Sequence, residues 1–196
     1  MPANDAAAAA SDAESVSEMV DDLFEMSKIN AGAVQPAHDA VALDEVVDDV
    51  VAVHRIVAER AGVALQVSLP DEPLRVIGSD RALVRVLSNL VANAIAHTPR
   101  GGRVTLALGH DGQGVWARVD DTGVGIDHAD LPKVFDVAYR GSNGRVPRTD
   151  SSLPSGSGLG LAIAAGLVQA HGGTLSACNL STGARFEVRL PLAGDS

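Results

Sequence analysis

The chain has 196 residues, enough for one domain with an appendage and for a real hydrophobic core. Apolar residues make up 46% and charged residues 20%, which excludes a disordered composition, and a net charge of −10 disfavours duplex nucleic acid, whose binding rests on Lys and Arg neutralising phosphates. The single cysteine, Cys178, excludes an intramolecular disulfide and a Cys-rich zinc site and points to a reducing, cytoplasmic setting; neither of the two lysines, Lys28 and Lys133, follows a glycine, which excludes a P-loop.

Residues 1–13 read as a low-complexity, Ala-rich leader without the basic and apolar regions of a signal peptide. Over 14–31 the apolar residues Val16, Met19, Val20, Leu23, Met26 and Ile29 fall at helical spacing close to a heptad, with Gly32 as the residue that ends the helix. So wide an apolar face needs a partner, either a protein surface or the other half of a dimerising hairpin. Residues 33–43 read as a linker containing Pro36. A second helix begins near Asp44, a candidate N-cap, and ends before Gly62.

Alternation predicts a strand over 63–69, a turn at 70–73 and a short strand over 74–77. Ser79 and Asp80 cap a helix running to about His97, stopped by Thr98-Pro99-Arg100-Gly101-Gly102. Strands over 103–108 and 115–120 form a hairpin about residues 111–114. A short helix follows at 131–134, and residues 141–157, rich in Gly, Ser, Pro and Arg, read as a long mobile loop. A last helix over 158–170 precedes strands near 174–178 and 185–190. The apolar run 159–168 is about half a membrane span and is cut by Gly160 and Gly166, so it reads as a buried helix against a sheet, and no membrane segment is expected. Strands and helices mix without strict alternation, which predicts an α+β two-layer sandwich.

Three strings carry chemistry. Asn89 and Asn93 lie four apart on the predicted helix 80–97, so both amides leave one face, and His97 continues the stripe. A solvated helix edge would look the same. Asp120-Asp121-Thr122-Gly123-Val124-Gly125-Ile126 ends a strand, with a carboxylate able to accept from an amine and glycines that let a ligand approach the backbone. An ordinary Gly-rich turn, or the Asp-Thr-Gly of an aspartic protease, would share part of this string. Gly156-Ser157-Gly158-Leu159-Gly160-Leu161 opens the last helix, where backbone amides make an anion site. Its third glycine falls one place early for a dinucleotide-binding loop.

In this order, the strings over 80–191 resemble the ATP-binding catalytic domain of bacterial two-component sensor histidine kinases. Asn89 to Ala94 resembles the family's asparagine box, Asp121 to Ile126 its first glycine box, Phe135 to Arg140 its phenylalanine box, and Gly156 to Leu161 its second glycine box. His171-Gly172-Gly173 and the closing strand Phe186 to Leu192 also match, and residues 19–32 resemble the end of the second dimerisation-hairpin helix. The resemblance implies a Bergerat-type fold, with a mixed sheet and helices on one face. It implies a leader over 1–13, a hairpin-helix remnant over 14–32, a linker over 33–43 and an ATP-binding domain over 44–192.

It further implies ATP and Mg²⁺ as cofactors and a set of roles. Asp121 would accept from the adenine amino group, with Gly123, Gly125 and Ile126 shaping the adenine pocket. Asn93 would hold Mg²⁺ against the phosphates, with Asn89 beside it as a catalytic residue. Gly156, Ser157, Gly158, Leu159, Gly160 and Leu161 would present the phosphate site, with His97 and Tyr139 lining the pocket. Arg140, with Arg145 or Arg148, would neutralise phosphate charge from the loop. Asn89 stands where ATP-hydrolysing relatives carry a Glu base, which favours phosphoryl transfer to a protein over transfer to water. Ala96 stands where the family often carries Lys or Arg, Ala138 where it carries a second aromatic, and Ala184 where Thr is common. These departures motivate an alternative, a non-catalytic nucleotide-binding regulatory module. A Ser kinase of the anti-sigma-factor type is a further one.

Of the six histidines, only His38 and His110 precede an acid, and neither carries the Arg and Pro of a phosphoacceptor motif. The expectation is therefore a kinase acting in trans, on a histidine presented by a dimerisation-domain partner, with a response regulator downstream. The chain is then a fragment of a longer sensor kinase or one half of a split kinase; Met1 and the Ala-rich leader favour the second. A cytoplasmic location is implied, at a membrane only through a partner or a missing N-terminal region.

Overall fold

A computed structural model describes residues 17, 19–33, 39–137, 139 and 158–192. A helix over 19–30, α1, comes first. The order is then β1 (Asp39–Ala42), α2 (Leu43–Ala61), β2 (Ala64–Ser68), β3 (Arg75–Gly78), α3 (Asp80–His97), β4 (Arg103–Asp111), β5 (Gly114–Asp121), a 3₁₀ turn (Leu131–Lys133), α4 (Gly160–Ala170), β6 (Thr174–Asn179) and β7 (Ala184–Leu190).

Five strands form one sheet in the order β2-β4-β5-β7-β6. β2 runs parallel to β4 and the remaining pairs are antiparallel, so the sheet is mixed, as predicted. One face is apolar: Leu106 lies opposite Val119, and Val119 opposite Phe186, all three buried. α2, α3 and α4 cover that face with aliphatic side chains, including Val46, Val50, Leu90, Ile163 and Leu167. The other face carries ions in register. Arg185 pairs with Asp120 at 2.7 Å, Arg189 with Asp111 at 3.0 Å and with Glu187 at 2.6 Å, and Arg118 with Glu187. Alternate residues of the central strands β4, β5 and β7 thus meet helix and solvent, which is the physical basis of a two-layer sandwich.

Several local expectations change. Residues 39–42, read as linker, form β1, which pairs antiparallel with β3. Asp44 does not cap α2: Ala42 is the N-cap, without a side-chain bond, and Asp44 lies in the first turn. The hairpin strands extend to Asp111 and Gly114, leaving a two-residue loop in which Asp111 Oδ1 accepts the Gln113 N–H at 2.9 Å. α4 begins at Gly160 rather than 158, because Gly158 takes a left-handed φ of 76°. The predicted short helix at 131–134 is a 3₁₀ turn over Leu131–Lys133.

Other local chemistry holds. Ser79 caps α3 by accepting the Ala82 N–H at 3.4 Å. Gly62 ends α2 at φ 69°, and Gly32 ends α1 at φ 62° with the Ala33 N–H on the Lys28 carbonyl. His171, read only as part of a family string, locks two helices together. Its Nε2 accepts the Ser79 N–H at 3.0 Å and its Nδ1 donates to the Leu167 carbonyl at 2.7 Å, with the ring filling space that a side chain at Gly78 would need.

α1 lies against the domain by one face. Met26 is buried, Ile29 packs on the core beside Gly166, and Asp22 pairs with Arg85 of α3. Met19, Val20, Leu23 and Phe24 remain exposed. The wide apolar face is therefore divided between the domain and solvent.

Candidate functional site

The site gathers where β5 ends under the C-terminal half of α3. Asp121 closes β5 with 5% of its surface exposed. Its Oδ1 accepts the Gly123 N–H at 2.7 Å and the Ala184 N–H at 3.3 Å. Burial raises the carboxyl pKa above the ordinary Asp value, and the two N–H donors and nearby His97 pull against that rise. Both backbone bonds fall on Oδ1, so Oδ2 is the oxygen able to accept from an incoming amine.

The loop after Asp121 is held from three sides. Thr122 exchanges bonds with Arg103: its Oγ1 accepts the Arg103 N–H at 2.9 Å and its own N–H donates to the Arg103 carbonyl at 3.0 Å. Gly123 passes so close to α3 that a Cβ there would lie 2.4 Å from the His97 carbonyl oxygen. Gly125 takes φ 74°, a conformation that disfavours any side chain. Asn179, at the end of β6, brackets Ile126: Oδ1 accepts its N–H at 2.8 Å and Nδ2 donates to its carbonyl at 2.7 Å. Gly183 completes the floor, since a Cβ there would lie 2.0 Å from the Asp121 carbonyl oxygen.

Along α3, Asn89 and Asn93 do leave one face. Asn89 Nδ2 donates to the Gly160 carbonyl at 2.9 Å, which ties α3 to the first turn of α4. Asn93 is half-buried, and its side chain makes no hydrogen bond to another described residue. Leu159, the N-cap of α4, is buried, and Leu161 packs partly on the core, so these two anchor the turn while the backbone about Gly158 and Gly160 remains as its polar surface. His97 is exposed at the end of α3. Tyr139 is turned to Asp130: its hydroxyl donates to Oδ1 at 2.6 Å, and this bond to a carboxylate is the main cause of its raised pKa. Phe135 meets Phe186 edge-on at 6.2 Å and anchors the segment before Tyr139 to the sheet.

The fold therefore brings together Asn89, Asn93, His97, Asp121, Gly123, Gly125 and Ile126 with Gly158, Gly160 and their neighbours. Arg140, Gly156 and Ser157, with Arg145, Arg148 and Ala138, lie outside the described residues. Asn179 and Gly183 escaped the sequence reading, because their partners Ile126 and Asp121 are more than fifty residues away and neither follows a periodic pattern. The only local signal was a Gly immediately before a strand.

The donor set suits a nucleotide. A buried carboxylate can accept a hydrogen bond from an amine, and a helix N-terminus beside the Asn89 amide suits phosphate. Among the described residues no group of three or more His, Cys, Asp or Glu could hold a metal. A Mg²⁺ held by one amide oxygen and by substrate phosphates needs no such group, so Asn93 fits it.

Comparisons with known proteins point the same way. Residues 78–194 match the family described as histidine kinase-, DNA gyrase B-, and HSP90-like ATPase. Over 181 residues, 92% of this chain, the sequence is 34% identical to the sensor-like histidine kinase SenX3 of Mycobacterium tuberculosis, and it covers 43% of that protein. Over 177 residues, 89% of this chain, it is 36% identical to the histidine protein kinase DivJ of Caulobacter vibrioides, of which it covers 28%. The chain thus spans less than half the length of these relatives. Among solved structures, the mycobacterial sensor histidine kinase MprB superposes with a TM-score of 0.64 at 30% identity, covering 80% of this chain and 98% of that one. The histidine kinase AdeS of Acinetobacter baumannii, at 21% identity, shares the fold, with a TM-score of 0.72 over 93% of this chain and 81% of that one.

Proposed function

The chain belongs to the histidine kinase-, DNA gyrase B-, and HSP90-like ATPase family and carries an ATPase catalytic domain of the histidine kinase type, and from that premise we propose that it binds Mg·ATP and transfers the γ-phosphoryl group to a histidine on another polypeptide. The observation that carries the nucleotide reading is the buried Asp121 carboxylate, with Oδ1 held by two backbone N–H groups beneath a glycine loop.

In this reading Asp121 Oδ2 accepts from the adenine amino group. The Gly123–Gly125 backbone leaves room for the base plane, and Ile126, fixed by Asn179, closes one side. The phosphates extend along α3 towards Gly158 and Gly160. Asn93 supplies an amide oxygen to Mg²⁺, and Asn89, held by Gly160, orients the phosphate end. Mg²⁺ supplies charge neutralisation at the β- and γ-phosphates, the largest electrostatic need of phosphoryl transfer. Arg140, with Arg145 or Arg148, adds cationic donors. No carboxylate occupies the position of Asn89, which supports transfer to a protein nucleophile rather than to water.

Trans action rests on the histidines. His54 and His171 are buried, His97 belongs to the proposed nucleotide site, and of the rest only His38 and His110 precede an acid, neither with the Arg and Pro of a phosphoacceptor motif. Mixing the chain with labelled ATP and a protein bearing a dimerisation hairpin is expected to label the partner and leave this chain unlabelled. Label on a histidine of this chain overturns the trans reading. Ala96, which puts no cation one turn beyond Asn93, favours a second reading, a nucleotide-binding module without transfer. Calorimetric binding of Mg·ATP with no label on any hairpin partner selects it.

A further inference from the structure

Arg85 stands one turn before Asn89 on α3, and Asn93 one turn after it, so Arg85 extends the amide stripe by one step. One turn is about 5.4 Å, within the span of an extended Arg side chain. A guanidinium is a rigid fork whose donors match a phosphate or a carboxylate two at a time. Here the fork is incompletely used. One terminal nitrogen reaches Asp22 Oδ1 of α1 at 2.5 Å, while Nε is buried without a hydrogen-bond partner among the described residues. Leaving such a donor unpaired costs stability, so the pairing with Asp22 is not the best one this side chain can make.

The Asp22 contact is one of three that hold α1 among the described residues, with buried Met26 and with Ile29. Asp22, Met26 and Ile29 share a face of that helix. Ile29 occupies the space beside Gly166, where a Cβ would lie 2.5 Å from its Cγ2. Gly166 belongs to α4, the helix whose first turn is tied to Asn89 through Gly160. The seat of α1 and the phosphate end of the site are therefore built on the same two helices.

We propose that Arg85 is a phosphate-binding residue of the nucleotide site, and that Asp22 sequesters it while α1 is docked. The proposal rests on the reading that the chain binds Mg·ATP. Asp22 and the γ-phosphate then compete for one fork. Undocking α1 tightens nucleotide binding, and by linkage nucleotide binding loosens α1 to the same extent.

The test uses the full chain. Mg·ATP and Mg·ADP affinities are measured by calorimetry for the unmodified protein, Asp22→Asn, Arg85→Ala and the double variant, with amide hydrogen exchange of residues 19–30 followed with and without Mg·ATP. Asp22→Asn is expected to tighten Mg·ATP about tenfold, roughly the worth of one charge-assisted hydrogen bond. Arg85→Ala is expected to weaken Mg·ATP more than Mg·ADP and to abolish the gain from Asp22→Asn. Mg·ATP is expected to speed exchange in α1 of the unmodified protein. The proposal is overturned if Asp22→Asn leaves Mg·ATP affinity unchanged, if its gain persists with Arg85→Ala, or if nucleotide leaves α1 exchange unaltered. Should Arg85→Ala fail to fold, Asp22→Asn and the exchange of the unmodified protein decide. If the unmodified chain binds no Mg·ATP, the nucleotide reading falls as well; if it binds and only these responses are missing, this inference alone falls.

Discussion

Asn179 holds the peptide unit of Ile126 from both sides, accepting its N–H at 2.8 Å and donating to its carbonyl at 2.7 Å. One side chain at the end of β6 thereby replaces the ladder that the loop after β5 has lost. Asn179→Ala removes both bonds and leaves two half-buried backbone groups to find water. At about 1 kcal/mol per bond, the domain should lose about 2 kcal/mol in urea unfolding. Adenine nucleotide affinity should fall with it, by about tenfold, because Ile126, the wall of the proposed adenine pocket, is no longer fixed. A stability loss with unchanged affinity would place the ligand elsewhere.

Asp121 gives a prediction in which stability and binding move apart. Burial raises its carboxyl pKa, so the folded chain holds that proton more firmly than the unfolded one. Ionisation therefore costs stability, progressively as pH rises from the unfolded Asp value of about 3.9 through the raised folded value, and constantly above it. Asp121→Asn carries no charge and can still accept from Gly123 and Ala184. It should be at least as stable as the native protein at pH 7, as measured by thermal unfolding, with this contribution to the acid-range slope removed. Its affinity for ATP, measured by calorimetry, should nevertheless drop tenfold or more, since the proposed charge-assisted bond to the adenine amine would be lost.

Asn93 should couple nucleotide to metal. With Mg²⁺ present, Asn93→Ala is expected to bind ATP about as weakly as the native chain does after chelation of Mg²⁺ with EDTA, and EDTA should weaken the variant little further. A full additional loss on chelation in the variant would move the metal to another oxygen.

His54 carries the pH dependence of the core. It is 8% exposed on the inner face of α2, neither ring nitrogen has a hydrogen-bond partner among the described residues, and burial lowers its pKa. The unfolded imidazole takes a proton at about pH 6.5. Stability from this site is thus fully present above that pH and is lost as pH falls through the depressed folded value. His54→Leu should remove this component of the slope and stabilise the domain by about 1 kcal/mol at pH 7.5, by relieving unpaired buried nitrogens. A steeper acid slope in the variant would contradict the assignment.

Much of the scaffold was legible locally. The period of Val46, Val47, Val50 and Ala58 marks α2, that of Leu83, Val86, Leu87, Leu90 and Ala94 marks α3, and Ser79, Gly62 and Gly32 mark their helix ends through chemistry confined to one turn. The strings about Asn89 and Asp121 were legible for the same reason, since a helix face and a glycine turn are set by neighbours in the chain. Strand β1 was not, because four residues are too short to show a period and their partner β3 lies more than thirty residues on.

The sequence alone determined most of the helices and strands, β1 excepted, and the short strings that hold amides, a carboxylate and glycines. Only the tertiary structure decided what those groups face. It placed the Ala184 N–H on Asp121, Asn179 around Ile126, the Ser79 N–H on His171, and Asp22 on Arg85. The physical reason is one of range. Periodicity and turn chemistry act over a few residues and leave a pattern in the chain, whereas a hydrogen bond between residues fifty to ninety positions apart is specified by the packing of whole helices on a sheet.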